Sequence, residues 1–252
     1  MGVDRRGARV REMFAAISHR YDLLNRLLSG TVDQRWRRRT ARLLGRPTRA
    51  VLDVCTGTAD LAREFLRLYG DGFAVVGADF CRPMLHIGKR KLRTAAPHRA
   101  FLLVEADAQR LPFASDSFDI VTVAFGLRNV ADRSRGLAEM VRVCRPGGQV
   151  AILEFSMPRS PVLSRLYTLY FRRVLPAIGQ AIAPNRHRAY RYLPESVLEF
   201  YSAEQMLAFM RQHGLCQTEA IPFTFGIAYL YVGRKPAEAA GNGAVRPGER
   251  RG

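Results

Sequence analysis

The chain has 252 residues, 48% of them hydrophobic, which is enough to bury one sizeable core. Its formal charge is +18, and of its 40 basic residues only Lys89, Lys91 and Lys235 are lysine. Four scattered cysteines (Cys55, Cys81, Cys144, Cys216) without C-x-x-C spacing argue against a zinc site or a disulfide framework. They read as small core residues of a protein kept in a reducing cytoplasm. The five histidines do not cluster, so no metal site is expected. Residues 1–10 are polar and lack the apolar stretch of a secretory signal, and no run approaches the length of a membrane span.

The first elements are helical. From Val10, the apolar residues Met13, Phe14, Ile17, Tyr21, Leu24, Leu27 and Leu28 keep a helical period. Arginines lie off that stripe and surround Trp36, so residues 1–48 read as an amphipathic arm. That arm covers the core edge and is placed to act as a lid. Residues 1–50 hold thirteen arginines against four acids.

A short apolar run, Ala50 to Val54, then reads as a buried strand. It breaks at Thr56-Gly57-Thr58 and resumes with helical spacing at Leu61, Ala62, Phe65, Leu66 and Tyr69. Strand, glycine turn and helix N-terminus let backbone approach a ligand closely. A second strand over 73–79 ends on Asp79, an acid suited to a ribose diol. The turn lacks the G-x-G-x-x-G that pyrophosphate binding requires. Asp53, four residues before Gly57, repels phosphate and suits a ligand carrying a cationic amine and sulfonium.

Alternation continues. A helix from Pro83 to Leu92 precedes strands at 101–106 and 118–124. A helix over 134–144 stops at Pro146-Gly147-Gly148, and a strand covers 150–155. This order predicts an α/β fold with a mostly parallel sheet and helices on both faces. Ligands bind at the carboxyl ends of such strands, here Cys55 to Thr58, Asp79, Asp107-Ala108, Phe125 to Asn129 and Glu154 to Ser156. Residues 157–200 interrupt the pattern with a basic, aromatic insertion. Its stretch 157–194 has seven arginines, five aromatics and no acid. A helix over 203–213 and an antiparallel hairpin (215–223, 227–233) follow. Residues 236–252 have the composition of a floppy tail. The basic, aromatic segments suit an anionic membrane surface or nucleic acid, with a solvated basic face as the plain alternative.

Three stretches carry a resemblance. Tyr21-Asp22-Leu23-Leu24-Asn25 through Ser29 to Trp36 is the first. Phe125-Gly126-Leu127-Arg128-Asn129-Val130, followed by Arg145-Pro146-Gly147-Gly148 and Leu153-Glu154-Phe155-Ser156, is the second. Tyr190-Arg191-Tyr192-Leu193-Pro194-Glu195-Ser196 is the third. With the D-x-x-x-G-T-x-D turn they resemble the quinone-ring C-methyltransferases of menaquinone and ubiquinone biosynthesis (UbiE/MenG type) over residues 10 to 235. The resemblance implies a class I methyltransferase Rossmann-like sheet over 49–235, and S-adenosyl-L-methionine as cofactor. It implies methylation of a prenylated quinol ring, with demethylmenaquinol favoured over the benzoquinol by the arginine-rich arm. Gly57 and Thr58 are then expected at the methionine end, Asp79 at the ribose, and Asp107 with the Ala108 backbone at the adenine.

For the ring, Arg128 either stabilises a developing aryl-oxide or pairs with an acid such as Glu154. Tyr21 is either a proton relay or core packing, and Asn129 and Tyr190 are wall candidates. The resemblance further implies peripheral contact with an anionic membrane from the cytoplasmic side and allows a homo-oligomer. An RNA methyltransferase is the competing class, but no RNA-binding module or N-P-P-Y type motif accompanies the charge. The chain departs from the family at Ala59, Asp33 and Arg145, where glycine, histidine and lysine are usual. If position 59 has positive φ, alanine costs about 1–2 kcal/mol there.

Overall fold

The computed structural model describes residues 7, 10–16, 18, 19, 22, 31–158, 165, 169 and 196–237. Residues 10–16 are helical, and helix α1 spans Val32–Leu44. The alternating unit follows: β1 (Ala50–Val54), α2 (Asp60–Tyr69), β2 (Ala74–Asp79), α3 (Arg82–Ala95) and β3 (Phe101–Glu105). Then come β4 (Phe118–Ala124), α4 (Arg133–Val143), β5 (Cys144–Phe155), α5 (Ala203–Gln212), β6 (Cys216–Phe223) and β7 (Ala228–Arg234).

The seven strands lie in the order β3-β2-β1-β4-β5-β7-β6. The first four pairings are parallel, while β7 runs antiparallel to β5 and to β6. The strand order therefore reverses between β1 and β4, and a ligand crevice opens outside the carboxyl ends of strands at such a reversal. Successive strand residues point to opposite faces. On one face Leu52, Val54, Val121 and Val123 pack with Leu137 and Met140 of α4 and Met206 and Met210 of α5. On the other, Val51, Ile120 and Leu153 pack with Trp36 and Leu44 of α1, Phe65 and Leu66 of α2, and Leu92 of α3.

The start of β5 differs from the sequence reading. Strand β5 begins at Cys144 instead of Val150, because Phe118 pairs with Cys144 before the Pro146-Gly147-Gly148 bulge shifts the register. Glycine is required in that bulge: a Cβ on Gly148 would fall 2.9 Å from the carbonyl oxygens of Arg145 and Asp119. Asp119 also explains how β1 is seated. Its carboxylate accepts the Arg49 and Ala50 amides and the Thr48 hydroxyl, and pairs with Arg145 at 2.6 Å. Burial alone would raise its pKa, but these donors and Arg145 hold it below the usual range. The basic residue before Pro146 is thus a structural clamp at the edge of the sheet opposite the crevice.

Candidate active site

The crevice at the strand reversal is a cleft with about 700 Å³ of empty space, counted with the solvent at its mouth. The turn after β1 forms its floor. Cys55, Gly57 and Ala59 adopt left-handed φ of 52°, 56° and 61°, so the backbone doubles back within five residues before α2 begins. Asp53 holds this turn from beneath. Its buried carboxylate accepts the Thr56 hydroxyl at 2.7 Å and the Thr122 hydroxyl at 3.1 Å. Burial outweighs those hydrogen bonds and pushes its pKa to about 6.

Asp79 closes the floor from β2. One carboxylate oxygen accepts the Gly57 amide and the other the Cys81 amide, each at 2.8 Å. It therefore ties the turn after β1 to the residue before α3 while facing the cleft. Burial again dominates and pushes its pKa to about 6 against those two amides. Gly126 packs directly against Cys55 at the cleft floor, and a Cβ there would collide with the Cys55 Cβ, so the position after β4 must be glycine. Asp107 and Ala108 line the rim beyond β3. The Asp107 carboxylate accepts the Gln109 backbone amide at 2.9 Å, and Phe80 and Met84 supply apolar wall. Phe14 brings the N-terminal arm to the same cleft.

Electrostatics narrow what can bind. In a chain of charge +18, the only charged side chains among the described residues lining the cleft are Asp79 and Asp107. A largely apolar cleft whose described charges are both acidic disfavours phosphate and favours a cationic ligand with an aromatic part. The donor set fits S-adenosylmethionine: carboxylates for its hydroxyls and positive charge, apolar walls for adenine, and a glycine turn for close approach.

The expected residues are only partly brought together. Gly57, Asp79, Asp107, Ala108 and Asn129 line the cleft, and Thr58 does not. The Thr58 hydroxyl turns away, donating to Asp22 of the arm at 2.7 Å and accepting from Lys91 at 2.9 Å. Lys91 also pairs with Asp22 at 2.9 Å and with Asp60 at 2.5 Å. Burial raises the pKa of Asp60, but Lys91 and Arg37 hold it below the ordinary value. Sequence reading missed this knot, which ties the arm to the cofactor turn. Its available signals were a lysine in a chain with three of them and an acid at the first position of α2.

Arg128 takes the ion-pair alternative. Its guanidinium meets the fully buried Glu154 at 2.8 Å and donates to the Phe125 carbonyl at 2.7 Å, behind the cleft wall. Asn129 stands in the wall, and its side-chain oxygen is buried with no hydrogen-bond partner among the described residues. Tyr21 and Tyr190 lie outside the described residues, as does most of the insertion at 157–200. Ala59 has the positive φ that raised the question of cost.

Comparison with known proteins shows the family. Residues 3–235 match the ubiE/COQ5 methyltransferase family. The chain is 48% identical to the ubiquinone/menaquinone biosynthesis C-methyltransferase UbiE of Geobacter sulfurreducens, over 91% of this chain and 90% of that protein. It is 47% identical to the demethylmenaquinone methyltransferase of Thermus thermophilus, over 89% of this chain and all of that protein. A solved SAM-dependent methyltransferase of Thermotoga maritima shares the fold, with a TM-score of 0.64 at 16% identity over 90% of this chain and 99% of that one. The chain belongs to the ubiE/COQ5 methyltransferase family: it is a C-methyltransferase, and S-adenosylmethionine is its methyl donor.

Proposed function

We propose that the protein methylates a ring carbon of a prenylated hydroquinone, with demethylmenaquinol as its substrate, and that it works against an anionic membrane surface at the inner face of the cell membrane. The cleft, whose only charged side chains among the described residues are Asp79 and Asp107, carries the chemical part of this reading. A polyanionic substrate would be repelled at the reaction centre, whereas an uncharged quinol ring and a cationic cofactor are both accommodated. The choice of naphthoquinol follows the arginine-rich arm and the name of the Thermus relative.

When bound, S-adenosylmethionine supplies a methyl group made electrophilic by the adjacent sulfonium. The side chains of this protein orient, exclude water and manage a proton. Gly57 and Asp79 take the methionine and ribose end, with Asp107 and Ala108 at the adenine. Asn129, a buried acceptor without a donor among the described residues, receives the hydrogen bond of a ring hydroxyl. Arg128, its charge balanced by Glu154, donates to the Phe125 carbonyl and so holds the turn that carries Phe125 and Asn129 in the cleft wall. Tyr21 on the arm is the proposed proton relay. Correct placement of ring carbon against methyl supplies much of the acceleration.

The membrane part rests on charge and chemistry. A prenylated quinol resides in the bilayer, and among the described residues no helix is long and apolar enough to cross one. The protein must therefore reach its substrate from the surface.

The test is single-turnover transfer from methyl-labelled S-adenosylmethionine to reduced demethylmenaquinone in detergent, with the reduced demethylated ubiquinone precursor in parallel. Label in the naphthoquinol alone is expected. Label in both would widen the substrate range, and label in neither, with cofactor binding intact, would overturn the quinol reading.

A further inference from the structure

The connection between β6 and β7 is built at a cost. Thr224, Phe225 and Gly226 take left-handed φ of 44°, 55° and 85° in succession. Glycine adopts this region freely, but a bulky aromatic is a genuine outlier there. Phe225 gains no packing in return, since it is 81% exposed, the most exposed large apolar side chain among the described residues. Single exposed apolar residues are common on soluble proteins. An aromatic held in a strained conformation and pushed into solvent is not, and such outliers point toward function.

Its surroundings say what it meets. Phe223 of β6 and Ala228 of β7 are paired, and Ala228 is also paired with Phe155 at the end of β5, so this tip stands on the catalytic edge of the sheet. The Trp36 indole donates to the Thr224 hydroxyl at 2.9 Å and fixes the tip against α1. One turn along α1, Arg39 lies over the Phe223 ring at 4.7 Å, and Arg35 is four residues before it on the same helix face. Both arginines are exposed and neither has an acidic partner among the described residues, whereas Arg37 and Arg38 pair with Asp33 and Glu64. From Trp36 an aromatic cluster leads inward: Trp36 to Phe155 at 5.9 Å, then Phe155 to Phe125 at 4.5 Å, and Phe125 lines the cleft.

We propose that Phe225, flanked by Arg35 and Arg39, is the corner of the molecule that docks on an anionic lipid bilayer. The aromatic ring enters the boundary between headgroups and acyl chains, and the two guanidiniums meet anionic headgroups beside it. This geometry turns the catalytic edge toward the bilayer, with the aromatic cluster between lipid and cleft. The inference rests on the membrane contact proposed above and names the residues that make it.

The test is flotation of the full-length protein with vesicles of equal parts phosphatidylglycerol and phosphatidylcholine, against vesicles of phosphatidylcholine alone. Three proteins are compared: the parent, Phe225→Gly, and the pair Arg35→Gln with Arg39→Gln. Phe225→Gly is expected to weaken vesicle binding about tenfold. The arginine pair is expected to weaken it about thirtyfold at low salt, an effect erased near 1 M salt. Phe225→Gly should at the same time melt no lower than the parent, because glycine relieves the left-handed strain. Stability held or raised while membrane binding falls is an outcome that general damage does not produce. Turnover of a short-tailed quinol in solution should be unchanged, while turnover of a long-tailed quinol in vesicles falls. If the parent binds neither vesicle, the membrane reading itself fails. If the parent binds and Phe225→Gly binds equally well, that reading survives and this anchor is overturned. Equal retention of all three proteins on RNA, with no lipid preference in the parent, would move the basic surface to nucleic acid and overturn it as well.

Discussion

Glu154 and Arg128 form an ion pair of 2.8 Å in which the carboxylate is fully buried and the arginine is 5% exposed. The glutamate also accepts the Arg128 backbone amide at 3.2 Å, so it sets both the side chain and the turn after β4. Removing one partner of such a pair leaves an uncompensated buried charge, at a cost of about 3–5 kcal/mol. Arg128→Gln and Glu154→Gln should each lower the melting temperature markedly, and combining them should cost less than the sum of the two. The double variant, even where stability recovers, should not regain methyl transfer if the pair positions Phe125 and Asn129 for the reaction. Full recovery of activity with stability would reduce Arg128 to a structural residue.

Ala59 sits at φ 61° with its methyl fully buried, and Gly88 of α3 faces it. A Cβ on Gly88 would stand 3.1 Å from the Ala59 Cβ and 3.2 Å from the Thr58 carbonyl carbon. Strain of about 1–2 kcal/mol at Ala59 is opposed by about 0.8 kcal/mol for its buried methyl. It is opposed further by about 0.4–1 kcal/mol of freedom that glycine would add to the unfolded chain. These terms nearly cancel, which is why alanine is tolerated where the family usually has glycine. Ala59→Gly should therefore change stability by less than about 1 kcal/mol by denaturant titration. Gly88→Ala should be better tolerated in the Ala59→Gly background than alone, and equal effects in both backgrounds would show that these positions do not touch.

Most of the sheet was legible because each strand is a short apolar run bounded by turn residues, and parallel strands buried on both faces look like that in sequence. That Gly57, Asp79, Asp107 and Ala108 line the cleft follows from the same pattern: strand ends were clear, and they face the crevice. The direction of the Thr58 hydroxyl was not legible, because a hydroxyl beside a glycine turn can face either way. Only the three-dimensional neighbours Lys91 and Asp22, 33 and 36 residues distant in sequence, decide that. The early start of β5 was hidden by Pro146-Gly147-Gly148, which reads as a terminator and is in fact a bulge inside the strand. Arg128 was ambiguous between cleft and ion pair, and no local pattern reveals that Glu154, on a neighbouring strand, points at it.

Lys91 holds Asp22, Thr58 and Asp60 at 2.9, 2.9 and 2.5 Å, so one side chain joins the arm, the cofactor turn and the start of α2. Lys91→Met keeps the apolar stem and removes the cation, leaving two carboxylates facing each other. The expected result is a several-fold loss of S-adenosylmethionine affinity, because Phe14 of the arm lines the cleft and the turn carries Gly57. Trypsin should also cut faster at the exposed Arg11. Unchanged affinity and unchanged cleavage would mean that the arm holds its place without this knot.

Asp53 and Asp79 both have folded pKa values of about 6 against an ordinary value of 3.8, raised chiefly by burial. Between those values the folded protein keeps protons that the unfolded chain has released. The contribution of these two groups to stability is thus fully present below pH 3.8, falls as pH rises through 6, and is level above. Ligand binding runs the other way, because a cationic ligand beside Asp79 favours the ionised carboxylate. The dissociation constant for S-adenosylmethionine should fall with rising pH by at most about tenfold per unit below 6, and flatten above 7. Calorimetry across that range should also detect proton release on binding near pH 6. Asp79→Asn should flatten the profile while Asp53, which lies under the turn and accepts Thr56 and Thr122, still titrates. An unchanged slope in Asp79→Asn would assign the proton elsewhere and remove Asp79 from contact with the cofactor.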